Sequence, residues 1–236
     1  MSDGAQPIRW QSATVVAVTP ETARAKTFRL RLSQPVSHRA GQHFVLRLTA
    51  PDGYTAQRSY SVASAPDESG EIDITVELLE GGEVSGYLHS EVQIGDELEV
   101  RGPIGGWFVW DGAGPAVLFG GGSGVVPLMA MLRLARTSAR SELVRLLVSV
   151  RTPDDLYYRG EIVGPETTVI YTREAPPSDD RGAGRLGSTD VAPFVGSGAT
   201  FYVCGSTGFA EAATQLLVDA GIKAEAVRVE RFGPTG

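Results

Sequence analysis

The sequence predicts two domains in series, an antiparallel six-stranded β-barrel followed by an α/β domain built on a parallel five-stranded sheet. Three observations lead there. Residues Ser12 to Arg101 follow a period of two, residues from Ala116 onward alternate buried-strand runs with helical runs, and the turn-rich segment Asp111-Gly112-Ala113-Gly114-Pro115 separates the two rhythms. The division is drawn at residues 1–111 and 112–236.

In the first domain the strands are expected at Ala13 to Val18, Thr27 to Leu32, Phe44 to Leu48, Ser59 to Ala63, Ile72 to Leu78 and Leu98 to Val100. Short strands between turn residues suit a small Greek-key barrel. One helical insert, Ser85 to Val92, is entered through Gly81 and Gly82. In the second domain the runs Ala116 to Phe119, Leu143 to Val150, Thr168 to Tyr171, Phe201 to Cys204 and Ala226 to Val229 are nearly continuous in apolar residues, as strands covered on both faces are. Helices are expected at Val125 to Arg136 and at Phe209 to Ala220, the latter with Ser206 or Thr207 as cap and Gly221 as stop. This repetition describes a Rossmann-like domain. The segment Pro176 to Gly184 is rich in turn residues and is expected to be a loop.

Composition excludes several classes of function. With 21 basic against 28 acidic residues and a formal charge of −7, and with no Lys/Arg run, nucleic acid is not an expected partner. No stretch approaches the roughly eighteen apolar residues of a membrane span, and Met1 to Gln11 lacks the pattern of a secretory leader. A cytoplasmic protein without membrane insertion is expected. The single Cys204 and the three histidines His38, His43 and His89 have no spacing that chelates zinc or holds an iron-sulfur cluster, so no metal is expected.

Two segments carry chemistry. Gly120-Gly121-Gly122-Ser123-Gly124 follows the first strand of the second domain and opens a helix. Glycines let the backbone approach an oxyanion, and the helix start behind them offers unpaired N–H groups and a positive dipole end, which suits a dinucleotide pyrophosphate. The spacing departs from G-x-G-x-x-G, and the second strand ends on Ser149-Val150-Arg151 with no acidic residue. In the first domain, Arg58-Ser59-Tyr60-Ser61 can present a guanidinium to phosphate, an aromatic plane to a flat ring and a hydroxyl to a ring heteroatom. A flavin nucleotide fits that set, as does an ordinary half-exposed strand.

The ordered motifs R-S-Y-S, G-G-E-V-S, G-P-I-G-G-W-F, G-G-G-S-G-V-V-P, Y-V-C-G-S-T-G-F and a terminal E-R-F resemble the ferredoxin reductase superfamily of flavoproteins over about residues 12 to 233. The resemblance implies a flavin-binding barrel and a nicotinamide-nucleotide domain whose reactive rings meet in the cleft between them. It implies that Arg58 holds the flavin pyrophosphate, Tyr60 packs on the ring system and Ser61 bonds its hydride-accepting nitrogen, with Val62 beside them. Gly82, Val84 and Ser85 would add phosphate contacts at the start of the short helix, a second anionic subsite that favours FAD over FMN. Gly122, Ser123 and Gly124 would lie along the dinucleotide, Cys204 and Gly205 would border the nicotinamide, and Glu230 would be a polar neighbour of the reaction centre. Ser61, Cys204 and Glu230 are thus the candidate catalytic residues. Phe232 matches the place where related proteins shield the flavin, although Gly233-Pro234-Thr235-Gly236 extends beyond it, whereas plant-type members end on their shielding tyrosine.

The implied reaction is hydride transfer from a reduced nicotinamide to bound FAD, followed by release of electrons one at a time. Arg151, Arg173 and Arg185 are placed to meet a ribose 2′-phosphate, which favours NADPH with NADH as the alternative. With no cluster-binding cysteines, the acceptor would be a separate protein: a ferredoxin, a flavodoxin, an oxygenase or another partner oxidoreductase. Seven basic residues and one acidic residue lie between Arg24 and Arg58, and eleven acidic and no basic residues between Asp67 and Glu99. A basic face through Arg24, Lys26 and Arg29 is therefore a candidate docking surface for an acidic carrier. Two other readings are a flavin reductase that uses free flavin as substrate, and a subunit that binds flavin and nucleotide without turnover.

Overall fold

A computed structural model describes residues 8–233. The first domain is a six-stranded antiparallel sheet of β1 (Trp10–Thr22), β2 (Ala25–Leu32), β3 (His43–Thr49), β4 (Thr55–Ser61), β5 (Glu71–Glu77) and β6 (Glu97–Ile104), in the order β4-β3-β6-β1-β2-β5. The sheet curls so that its edges β4 and β5 approach, and just past β4 they are joined by the bridge Val62–Ile74, the bond from Ala63 N–H to the Asp73 carbonyl, 2.7 Å, and the bond from Asp73 N–H to Ser64 Oγ, 3.1 Å. The barrel is thus partly open along β4. Its lining is the inward set the period of two requires, with Phe28, Leu30, Phe44, Leu46, Ile72, Ile74 and Val100 all buried. Helix α1 (Glu83–Ser90) closes one end through Val84 and Leu88.

The second domain holds β7 (Ala116–Gly121), β8 (Val144–Val150), β9 (Thr167–Tyr171), β10 (Thr200–Ser206) and β11 (Val227–Phe232), all parallel, in the order β11-β10-β7-β8-β9. The chain runs outward one way from β7 to β9 and returns on the other side as β10 and β11, so the order reverses between β7 and β10. Alternate side chains serve opposite faces. Leu118, Leu146, Val148, Tyr202 and Cys204 pack under α2 (Val125–Thr137), and Val117, Phe119, Leu147 and Phe201 pack under α4 (Thr207–Asp219). The Ser206 hydroxyl caps α4 by accepting from Phe209 N–H, 3.4 Å. A short α3 (Ser188–Val191), absent from the sequence expectation, follows the loop at Pro176 to Gly184. Among the described residues no helix is long and apolar enough to cross a membrane.

Helix α2 is apolar on nearly every side, from Val125 to Leu132, because it is covered twice. One side rests on the parallel sheet, and the same core cluster includes Ala25, Ala40, Ala63, Phe108 and Trp110 of the first domain. Strand β5 shows the same covering from the other side, since Asp73 and Thr75, on its outward face, are as buried as the barrel lining. Alternation alone would leave that face to solvent.

Candidate functional site

The parallel register sets three predicted positions in one row. Gly120 of β7, Cys204 of β10 and Glu230 of β11 are direct lateral partners at the carboxyl ends of their strands, where the strand order reverses and where sheets of this kind bind ligands. The glycine loop leans onto this row so closely that a Cβ on Gly124 would stand 2.1 Å from the Cys204 carbonyl oxygen. The ring of Phe209, from α4, fills the space that a Cβ on Gly121 or Gly205 would need, at 2.5 Å and 2.8 Å. Gly122 has φ +55°, and a Cβ there would meet open space ahead of α2. Gly122, Ser123 and Gly124 thus adjoin the buried Cys204 and Gly205 in one cluster made mostly of backbone, the kind of cradle a diphosphate can use.

Glu230 is the one acid in the row. Burial pushes its carboxyl up to about 7, and its Oε2 is enclosed with no hydrogen-bond partner. Burial, reinforced by Glu230, also raises the Cys204 thiol well above its usual range, so Cys204 is a neutral thiol and a poor nucleophile. Phe232 is half-buried beside Ser206 and packs on the same core cluster as Cys204. Pro234 to Gly236, which follow it, lie outside the described residues, as do Met1 to Pro7.

On β4, Arg58 and Tyr60 share a face opposite Leu46 and Phe44 of β3, while Ser61 lies across from His43. Arg58 is exposed at the open side of the barrel, and among the described residues its guanidinium bonds only its neighbour's carbonyl, Gln57 O, 2.7 Å. Tyr60 is half-buried against the barrel core, and burial pushes its phenol up to about 12, so its hydroxyl stays protonated. Ser61 and Val62 are buried, Val62 at the bridge that joins the barrel edges. His43, set aside with the other histidines in the sequence reading, is partly buried beside Ser61, and burial lowers its pKa. His38 and His89 are engaged with the carbonyls of Ser64 and Val76.

At α1 the geometry divides the expected contacts. A Cβ on Gly82 would meet Ser85 Oγ at 2.4 Å, and Ser85 Oγ is already engaged with Leu79 N–H and the Gly82 carbonyl, 3.2 and 3.3 Å. Val84 is buried in the barrel end. Only backbone N–H groups of Glu83, Val84 and Ser85 remain there for an anion, and the Glu83 carboxylate competes for the same helix end. Two residues not singled out for this site strengthen it: Tyr54 donates its hydroxyl to Glu83, 3.1 Å, and Arg24 lines an open groove of about 670 Å³ with Leu79, Gly81, Gly82 and Glu83.

The backbones of Arg151 and Arg173 are joined, Arg173 N–H to Arg151 O at 2.9 Å, which sets the two residues side by side just past the carboxyl ends of β8 and β9. Arg185 is held nearby, its carbonyl accepting from Arg181 Nη2, 2.8 Å. All three side chains are exposed, and among the described residues none is in an ion pair, unlike Arg181, which pairs with Asp190.

Within the expected basic docking face, Arg29 and Arg31 are paired with acids. The acidic run of β5 lies against the basic run of β2 in register, so Arg29 pairs bidentately with Asp73 at 2.8 and 3.0 Å and Arg31 pairs with Glu71 at 2.9 Å. Lys26 caps the end of α1 at the His89 carbonyl, 2.7 Å, and Arg24 bonds the Leu78 carbonyl, 2.8 Å. Charges separated along the chain neutralise one another across the sheet.

Comparison with known proteins gives two family matches, "Oxidoreductase FAD-binding domain" over residues 12–109 and "Oxidoreductase NAD-binding domain" over residues 118–215. The chain is 32% identical to the reductase component of propane 2-monooxygenase from Mycolicibacterium smegmatis over 163 residues, 68% of this chain and 46% of that protein. It is 30% identical to a flavohemoprotein from Deinococcus radiodurans over 98% of this chain and 62% of that one. The chain therefore spans about half to three-fifths of the length of these curated relatives. Among solved structures, the Amycolatopsis cytochrome P450 reductase superposes over the whole chain and 74% of its own length with a TM-score of 0.79 and 28% identity.

Proposed function

Because the chain belongs to the ferredoxin reductase superfamily, with an FAD-binding domain followed by an NAD-binding domain, we propose that it is a reductase that takes hydride from NADPH or NADH onto bound FAD and delivers electrons to a separate protein acceptor. The observation that carries the proposal is the seam. Ala63, two residues beyond Ser61, belongs to the same buried cluster as Cys204, so the end of the Arg58–Ser61 run and the end of β10 border one core. The names of the relatives, reductase components and a cytochrome P450 reductase, support an acceptor of the oxygenase or carrier kind. We place the division between domains at 111/112, in line with the two family matches, and the protein in the cytoplasm, where an unpaired Cys204 is ordinary.

The cradle fits the group. The backbone edge of Gly122–Gly124 would receive the nicotinamide dinucleotide, Arg58 and the N–H groups after Gly82 the FAD phosphates, and Tyr60 the flat ring. FAD, when bound, accepts a hydride and can release electrons singly. The chain supplies placement and exclusion of water. Ser61 would offer a hydroxyl at the strand end, Cys204 a neutral, buried neighbour behind the ring, and Glu230 a carboxyl that burial pushes up to about 7 and whose Oε2 could hold a proton. Phe232 would flank the ring from the end of β11. Arg151, Arg173 and Arg185 would meet a 2′-phosphate, which favours NADPH.

Anaerobic titration of the purified yellow protein with NADPH and separately with NADH, followed in the visible region, tests this reading. Bleaching of flavin that stays with the protein through gel filtration, then reoxidation by added cytochrome c or a ferredoxin, is expected. Flavin that leaves the protein on filtration and turns over as substrate would replace the proposal with a flavin reductase, and absence of bleaching would leave a binding subunit.

A further inference from the structure

The seam between the domains holds polar side chains that no role above uses. Arg133, nine residues past Gly124 on α2, reaches out of the second domain and donates Nη1–H to the Ala63 carbonyl, 2.9 Å. Its Nε and Nη2 are held by Glu161 at 2.9 and 2.5 Å, and the Asp73 carboxylate lies 3.8 Å from Nη1. Ala63 is thereby gripped from both sides, since its N–H donates to the Asp73 carbonyl. The guanidinium stands 5.0 Å over the ring of Tyr158.

Tyr158 is a second fastening. It is buried, and at φ +52° it occupies a conformation that a tyrosine adopts only when its surroundings impose it. Three side chains of the first domain, Glu21, Thr27 and Thr75, close a ring with it. Tyr158 N–H donates to one oxygen of Glu21, 2.9 Å, and Thr27 donates to the other, 2.7 Å. With its proton committed to Glu21, Thr27 accepts from Thr75, 2.7 Å, and Thr75 in turn accepts from the Tyr158 hydroxyl. One residue of the second domain is thus bonded through its backbone to β1 and through its hydroxyl to β5 of the first, with Thr27 of β2 linking those two partners.

We propose that Arg133 is a positioning residue, seconded by Tyr158, which fixes the helix behind the glycine loop relative to the strand end that carries Ser61. The inference rests on the reading of the seam as the place where the two redox rings meet. Helix α2 transmits position rigidly, so movement at Arg133 is movement at Gly122–Gly124, and hydride transfer is steep in distance: a displacement of about 1 Å can lower a rate by on the order of 100-fold.

The test uses the flavin-loaded full chain with R133M, R133K and Y158F. In R133M, flavin reduction by whichever nucleotide reduces the wild type is expected to slow by about 10- to 100-fold, while the nucleotide Kd changes by less than about twofold and the long-wavelength charge-transfer absorbance weakens. R133K, which keeps one donor toward Ala63, is expected to recover part of the rate. Y158F keeps the ring, folds, and is expected to lose rate in the same direction. Hydrogen exchange gives a readout apart from turnover, with R133M raising exchange in both 58–63 and 120–124. Wild-type reduction rates in R133M and Y158F, a rate loss matched by an equal loss of nucleotide affinity, or faster exchange confined to one segment would overturn the inference. Should the wild type itself not be reduced by either nucleotide, the proposed function fails, and the exchange comparison still decides whether Arg133 couples the two segments.

Discussion

Glu230 stands directly beside Cys204 across the β10–β11 pair, with one carboxylate oxygen enclosed and unbonded. Its carboxyl is held up to about 7, against 4.5 for the free group. Between those values the folded chain keeps a proton that the unfolded chain has lost, so this group makes stability fall as pH rises through the window, and the loss is complete above about pH 7. The effect is on the order of 3 kcal/mol at most. E230Q is expected to melt like the wild type near pH 5 and higher than it near pH 8. Thermal unfolding from pH 5 to 8 checks this, and an unchanged pH slope in the variant refutes it.

Gly124 and Gly122 give opposite reasons for being glycine. Gly124 has an ordinary φ of −62° but no space, and Gly122 has space but a φ of +55°. G124A should therefore cost about 3 kcal/mol and weaken nucleotide binding through displacement of the loop, while G122A should cost about 1 kcal/mol from backbone strain. Denaturant unfolding of the two variants would have to rank them in that order.

The paired backbones of Arg151 and Arg173 predict a nucleotide preference. Replacing both by alanine is expected to raise the KM for NADPH by about 10-fold, the worth of one charged hydrogen bond, and to leave that for NADH nearly unchanged. Equal effects on both nucleotides, or none, would show that these arginines do not meet the 2′-phosphate.

Arg29 is a structural partner of Asp73. R29E places like charges in register against a buried carboxylate, and a loss of about 2 kcal/mol is expected, between the values of surface and buried pairs. Electron delivery should keep its dependence on ionic strength. A changed salt dependence with an unchanged melting temperature would restore the docking role.

The strands, both long helices and the order of the glycine loop, Cys204 and Glu230 were legible in the sequence because each depends on local rhythm or on a short motif. What escaped depends on contact across the seam. Asp73 and Thr75 alternate with Ile72 and Ile74 as solvent-facing residues would, and nothing local to β5 says that another domain covers them. Arg133 and Tyr158 belong to no motif, and the opposed charges of β2 and β5 cancel only once the strands are in register. The subsite at α1 was legible as glycines before a helix, but not the engagement of Ser85 Oγ or the presence of Arg24 and Tyr54.

Met129 and Met131 of α2 lie in one oily layer with Phe108 and Trp110, which come before the 111/112 division. Cutting the chain there would bare that layer on both fragments. Neither half should survive alone as a well-behaved piece, and calorimetry of the intact chain should record a single peak in place of two, because the boundary between the halves is itself part of their shared interior.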